Sequence, residues 1–414
     1  MPPADFSHAG AALLDDHSRL RRALGEARLP AAVVDLDAVD HNLTVLLGPV
    51  RRSGKTLRVA TKSIRCVELL RYLARQGGAA VQGWMTFDAA ETVFLADRGF
   101  DDLLLAYPTA QPSDAALLAG LAARGVQLSV VVDAPEHLDA LDRAARAAGT
   151  TIEVSLEIDL ALRLAGGALH VGVLRSPVRS VDQARAMARA VRERQGLRLG
   201  GLMAYEAQIA GVSDRDPTAA PATLVALRAM KAMSRRAVAS RRGLIAEALR
   251  RDGASLRLVN GGGTGSLLRA VDEPSLTEVT AGSGFVASHL FDHYDDLPLR
   301  PALFFALQVV RRPDPGVVTC AGGGYVASGA SGYSRLPVPW FPPGLRLVDL
   351  EGAGEVQTPV RLPPGVDLPL GAPVFFRHAK AGELAERFAS YHLVRGDQVE
   401  QIVPTYRGEG GCFL

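Results

Sequence analysis

Cysteine is scarce: Cys66, Cys320 and Cys412 are the three in 414 residues, far apart and odd in number. That excludes a disulfide framework and a cysteine-built zinc cluster, and a reducing cytoplasm is the expected compartment. No run approaches the roughly 18 apolar residues that span a bilayer. The opening "MPPADFSHAGAALLDDHSRL" lacks a basic start followed by an apolar stretch, so neither membrane insertion nor secretion is expected. Massed basic runs are absent as well. The net charge is +2 and arginines alternate with acids, which excludes a nucleic-acid or lipid footprint and leaves small metabolites as the expected partners. Lysine is the scarcest charged residue. Lys55, Lys62, Lys231 and Lys380 are the only four among 46 basic residues. With arginine the default cation, each lysine calls for a chemical reason.

What is present is an ordinary globular composition, 48% hydrophobic and 22% charged, in a chain long enough for a large core and two domains. From residue 30, short β-branched runs alternate with longer helical patterns punctuated by glycine or proline. The expected strands are "AAVVDLD", "LRVATKS", "AAVQGW", "DDLLLAYP", "VQLSVVVD", "TIEVSLEID", "LGGLMAYEA", "SLRLVNGGG" and "LTEVTAGSG". This α/β repetition implies a parallel sheet covered by helices, either doubly wound or a (β/α)8 barrel. Nine strands are one more than a barrel needs. A long helix is expected over about 221 to 252, its arginines read as a solvated face. Beyond about 290, proline and glycine become dense and short strands such as "ALFFALQVV", "GVVTCAGG" and "APVFFRHA" predict a second, mostly β domain.

Strand C-terminal ends open onto the active site in parallel α/β folds, and Lys62 sits at such an end in "LRVATKS". A lysine snorkelling from a strand terminus is the plain alternative. Unlike arginine, however, a desolvated lysine can lose its proton and attack a carbonyl. "NGGGTGS", residues 260 to 266, lets backbone N–H groups converge, with Thr264 and Ser266 adding hydroxyls suited to a phosphate monoester. A tight structural turn is the alternative there. "TAGSGF" ends the next strand and adds Gly282, Ser283 and Gly284. An early-strand lysine and a late-strand phosphate cradle point to pyridoxal phosphate.

Those stretches, together with "LPAAVVDLDAVDHNL", "GLMAYEAQ", "EVTAGSGFV" and "FFRHAKAGEL", resemble the fold-type III pyridoxal phosphate enzymes, the alanine racemase-like barrels, over residues 30 to 390. Within them the chain looks most like the D-threonine aldolase and D-serine dehydratase branch. The resemblance implies an N-terminal extension over 1–29, a (β/α)8 TIM-type barrel over 30–288 and a mostly β domain over 289–414. It places the first strand, near 31–37, at the junction with that β domain. It also implies a homodimer, Lys62 as the Schiff-base lysine, Tyr205 beside the cofactor, and Gly262, Gly263, Thr264, Gly265, Gly282, Ser283 and Gly284 around its phosphate.

Departures from the family pattern bear on the chemistry. Ala60 and Ile64 stand where family members carry histidines near the lysine, and His170 stands where an arginine is usual, with Arg163 or Arg175 as substitutes. In the resembled branch a histidine and a cysteine or aspartate two residues on bind a divalent metal. Here the pair is His378 and Lys380, and a protonated lysine cannot ligate, so a standard metal site is not expected. His289 and His293, at helical spacing, lack an apparent third ligand. Lys380 is expected to supply the metal's charge at the substrate's β-oxygen, with His378 as base or orienter. The expected enzyme is a lyase for β-hydroxy D-amino acids working by retro-aldol cleavage. Dehydration, racemisation using Tyr325 or Tyr333, non-catalytic pyridoxal phosphate binding and a cofactor-free Schiff-base aldolase are the alternatives.

Overall fold

The computed structural model describes residues 9–164, 169–215 and 219–413. Ala31–Asp35 (β1) stands apart from the eight strands that follow it into a closed parallel barrel. Those are Thr56–Ala60 (β2), Val81–Thr86 (β3), Leu103–Leu105 (β4), Leu128–Val132 (β5) and Ile152–Glu157 (β6), then, after a small hairpin of Leu162–Leu164 (β7) and Leu169–Val171 (β8), Leu197–Met203 (β9), Leu258–Gly261 (β10) and Glu278–Ala281 (β11). β11 closes on β2 with Ala281 opposite Val59, which sets the ends of the first and last barrel strands side by side. β5 and β6 are buried along their whole length, as strands walled by helices on one face and by the barrel interior on the other must be.

The second sheet contains Leu303–Asp314 (β12), Val317–Ala321 (β13), Val338–Phe341 (β14), Arg346–Leu347 (β15), Gln357–Arg361 (β16), Pro373–Arg377 (β17), Ser390–Arg395 (β18) and Gln398–Pro404 (β19). β1 lies inside it, antiparallel to β12 and parallel to β18, which accounts for the ninth strand. The helices are Ala9–Leu24 (α1), Leu36–Ser53 (α2), Val67–Gly77 (α3), Ala89–Ala96 (α4), Pro112–Ala123 (α5), Pro135–Ala147 (α6), Val181–Arg192 (α7), Ala207–Ala210 (α8), Pro221–Arg251 (α9), Leu267–Ala270 (α10) and Ala381–Ala385 (α11). α1 packs Leu20 and Leu24 against Val33, Phe304 and Phe375 of the second sheet. No helix among the described residues is long and apolar enough to cross a membrane.

The expected long helix forms as α9, but the reading of its arginines as one solvated face fails at Arg242. This side chain is fully buried, donating to Ala204 O at 2.7 Å and to Glu206 at 2.6 Å, and it also pairs with Glu273. Two carboxylates from other elements offset its desolvation. Arg236, Arg250 and Arg251 are exposed as expected.

A second buried guanidinium holds the barrel. Arg58 of β2 donates through Nε to Glu278 at 2.7 Å and through Nη2 to Asp102 at 3.1 Å, with no exposed side-chain surface. Arg58→Met is expected to cost about 3–5 kcal/mol, because it strands buried Glu278 without its counter-charge and leaves Asp102 with Arg257 alone. Urea unfolding checks this, and an unchanged midpoint would contradict it.

Candidate active site

β2 ends in a single helical turn, Thr61–Ser63, anchored by the Thr61 hydroxyl donating to Met85 O at 2.9 Å. Lys62 projects from this turn at the C-terminal end of its strand and donates through Nζ to the phenol of Tyr107 at 3.1 Å. Tyr107 follows β4, two strands round the barrel. The guanidinium of Arg175 lies 5.4 Å from the Tyr107 ring and 5.7 Å from the Tyr205 ring. Burial alone would raise the Tyr107 phenol, but the Lys62 ammonium, its hydrogen bond and Arg175 outweigh it and hold the group below the usual phenol range. Arg175 Nε sits 3.0 Å from Glu157 Oε1 at the end of β6. Burial pushes the Glu157 carboxyl up to about 8, against the pull of Arg175. Tyr205 is pushed up to about 12, chiefly by burial and then by Glu206.

The two glycine-rich loops follow β10 and β11, and their internal bonding separates scaffold from free donors. Gly262, at φ +83°, donates its N–H to Glu206 at 3.2 Å. Gly263 N–H donates to Ser266 Oγ at 3.1 Å, and Ser266 Oγ donates to Glu206 at 2.7 Å. The expectation that Ser266 offers its hydroxyl to a phosphate is therefore corrected. Its proton is held by a buried carboxylate inside the loop. Gly284 N–H donates to Thr264 Oγ1 at 3.1 Å, tying one loop to the other. The N–H groups of Thr264, Gly265, Gly282 and Ser283 find no acceptor among the described residues. A Cβ on Gly282 would lie 2.7 Å from Ala60 O and 3.0 Å from Ser63 Oγ, so this cradle abuts the turn that carries Lys62.

His170 lies on β8 opposite Arg163, and neither ring nitrogen has a partner among the described residues. His378 and Lys380 follow β17 and lead into α11, whose Gly382 packs against the carbonyl of Lys62. The backbone thus brings this segment to the lysine's turn. His378 is buried, with Nδ1 3.1 Å from Leu303 O. A carbonyl only accepts, so Nδ1 carries the proton and Nε2, which has no partner, presents a lone pair. Lys380 Nζ donates to Ser328 Oγ at 2.8 Å and lies 3.5 Å from Glu383. His378 and Lys380 line a cavity of about 320 Å³ with Tyr325, Arg387 and Arg407. Tyr325 packs edge-on against Phe305 at 4.9 Å, and Tyr333 is 70% exposed. Among the described residues no group of three or more His, Cys, Asp or Glu side chains is placed to hold a metal ion.

Burial, assisted by the charge of Arg377, depresses His378 to about 3 and His289 to about 4. A histidine held neutral in the fold and free to protonate when unfolded contributes stability above its unfolded value of about 6.5, lost as pH falls toward the folded value. Melting temperature is therefore expected to fall on acidification below about pH 6.5, and less steeply in His378→Gln. An unchanged acid limb in that variant would contradict the assignment.

Tyr107, Glu157 and Glu206 escaped the sequence reading. Glu206 had the clearest signal, following Tyr205 at the end of a barrel strand, and the other two are single polar residues at strand ends with no motif around them.

Residues 34–286 match the family model described as "Alanine racemase, N-terminal domain". The chain is 27% identical over 353 residues to a D-threonine aldolase of Arthrobacter sp., covering 84% of each chain. It is 30% identical over 256 residues to a D-threo-3-hydroxyaspartate dehydratase of Delftia sp. (strain HT23), covering 61% of this chain and 60% of that one. Its fold superposes on the crystal structure of a D-threonine aldolase from Filomicrobium marinum with a TM-score of 0.76 at 24% identity, covering 92% of this chain and 95% of that one. A barrel whose first strand ends in a lone lysine beside two glycine cradles, matched by that family model over more than half its length, belongs to the alanine racemase N-terminal domain family.

Proposed function

We propose that this chain is a pyridoxal phosphate-dependent lyase that cleaves β-hydroxy D-amino acids by a retro-aldol reaction. The observation that carries the reading is the adjacency of Lys62 to a cluster of backbone N–H groups without acceptors, on the two strands that close the barrel. The names of its relatives, a D-threonine aldolase and a D-threo-3-hydroxyaspartate dehydratase, support the substrate class.

The residues fit the cofactor. Unpartnered N–H groups of Thr264, Gly265, Gly282 and Ser283 would hold its phosphate, and the Lys62 amine would hold its aldehyde carbon. Gly262, Gly263 and Gly284 would serve by shaping the loops. Tyr205 and Arg175 would bound the ring, with His170 on the neighbouring hairpin. When bound, the cofactor supplies an electron sink for the pair released at Cα.

Retro-aldol cleavage needs the β-hydroxyl held so that its proton can leave as the Cα–Cβ bond breaks. His378 Nε2 would accept that hydrogen bond. Its depressed basicity suits it to orienting the hydroxyl rather than storing the proton. Lys380 has three N–H donors, with Ser328 and Glu383 engaging two, so a third would face the β-oxygen and carry charge there. Lys380→Ala is expected to lower kcat/KM by about a hundredfold. Unchanged turnover and affinity would remove Lys380 from the mechanism.

The test is product analysis of purified protein with D-threonine and pyridoxal phosphate, with and without a chelator. Acetaldehyde and glycine in equal amounts, unaffected by the chelator, are expected. 2-Oxobutanoate would establish dehydration instead, and neither product would overturn the substrate class.

A further inference from the structure

The Lys62–Tyr107 hydrogen bond joins the cofactor lysine to a phenol from another barrel strand end. Tyr107 stands at the end of β4, 40% exposed, with its oxygen 3.1 Å from the one nitrogen that must become a nucleophile. Resting on the reading of Lys62 as the cofactor lysine, we propose that Tyr107 is a catalytic proton acceptor for Lys62, taking the ammonium proton so that the amine can attack the cofactor's aldehyde.

The chemistry is set by what surrounds the pair. An ammonium has no lone pair, so Lys62 must lose one proton before a carbon–nitrogen bond can form. Tyr107 first gives its phenol proton to solvent, and the phenolate oxygen then takes one ammonium proton from Nζ along the existing 3.1 Å hydrogen bond, leaving a lone pair on Nζ and a neutral phenol. Every charged or titratable group facing Tyr107 bears on this balance. Lys62 and Arg175 bring positive charge, Glu157 brings a carboxyl beyond Arg175, and the Tyr205 phenol stands on the far side of the same guanidinium. The two cations prevail, which is the direction in which Tyr107 departs from an ordinary phenol. A tyrosine there for packing alone would not need its oxygen on Nζ, nor a guanidinium over its ring. Partial exposure also gives the phenol a route to return its proton to water.

The test measures cofactor uptake rather than turnover. Protein freed of cofactor is mixed with pyridoxal phosphate, and the growth of visible absorbance is followed between about pH 6 and 9 for the wild type and Tyr107→Phe. The variant is expected to take up cofactor about a hundredfold more slowly at neutral pH. Its rate–pH limb should move upward by about one unit or more, while the final extent of binding and the melting temperature stay close to wild type. Equal uptake rates and coincident pH limbs would overturn the role of Tyr107 and leave the lyase reading intact. Absence of uptake by both proteins would instead overturn the assignment of Lys62, and this role with it.

Discussion

Lys62→Ala is expected to lower lyase turnover by about a thousandfold or more and to abolish the visible absorbance that pyridoxal phosphate gives the wild type. The loss corresponds to about 4 kcal/mol of transition-state stabilisation or more. Lys62→Arg sharpens the point. It keeps the positive charge and a donor near Tyr107, yet guanidinium cannot lose its proton to become a nucleophile, so it is expected to be as inactive as alanine. Both variants should fold, because Lys62 is exposed and its side chain makes one hydrogen bond. Turnover assays beside thermal melts check this. Retained activity in Lys62→Arg would show that only charge is needed and would remove the covalent role.

Glu206→Ala is the second large expected effect, and it acts through the loop rather than through the reacting atoms. Glu206 collects Arg242 at 2.6 Å, the Ser266 hydroxyl at 2.7 Å and the Gly262 N–H at 3.2 Å. Removing it leaves a fully buried guanidinium with Glu273 as its one carboxylate beside the Ala204 carbonyl, and frees the loop that precedes Thr264 and Gly265. A stability loss of about 3–5 kcal/mol is expected, together with at least about tenfold weaker pyridoxal phosphate binding. Glu206→Gln keeps acceptor oxygen for Ser266 or Gly262 and should show the smaller loss on both measures. Urea midpoints and cofactor titration separate the two effects. Wild-type affinity in a destabilised Glu206→Ala would detach this loop from the cofactor.

The barrel was legible because its strands are near-continuous apolar runs and its helices are not, a difference of period that survives any detail of packing. Lys62 stood out through the rarity of lysine in an arginine-rich chain. The glycine loops were visible as composition, but which of their donors are free was not. Ser266 and Thr264 look equivalent in "NGGGTGS", and only the arrival of Glu206 from the segment after β9 and of Gly284 from the loop after β11 makes one a strut and the other a tie between loops. The burial of Arg242 is invisible in the sequence for the same reason. A helical repeat shows where a charge lies along a helix, and its two carboxylate partners come from segments 31 and 36 residues away. Tyr107 follows β4 and Glu157 ends β6, and they meet Lys62 and Arg175 only at the barrel mouth, so no local pattern marks them. The hairpin of β7 and β8, which carries His170, likewise had no periodic signal of its own.

The role of Lys62 is tested by reducing the protein with borohydride in the presence of pyridoxal phosphate and mapping the modified lysine by mass spectrometry. Four lysines compete. Lys231 is buried against Asp214, Lys55 donates to Val271 O, and Lys380 is held by Ser328. One cofactor per chain is expected, on Lys62 alone. Modification at Lys380, or no stable modification at all, would contradict it.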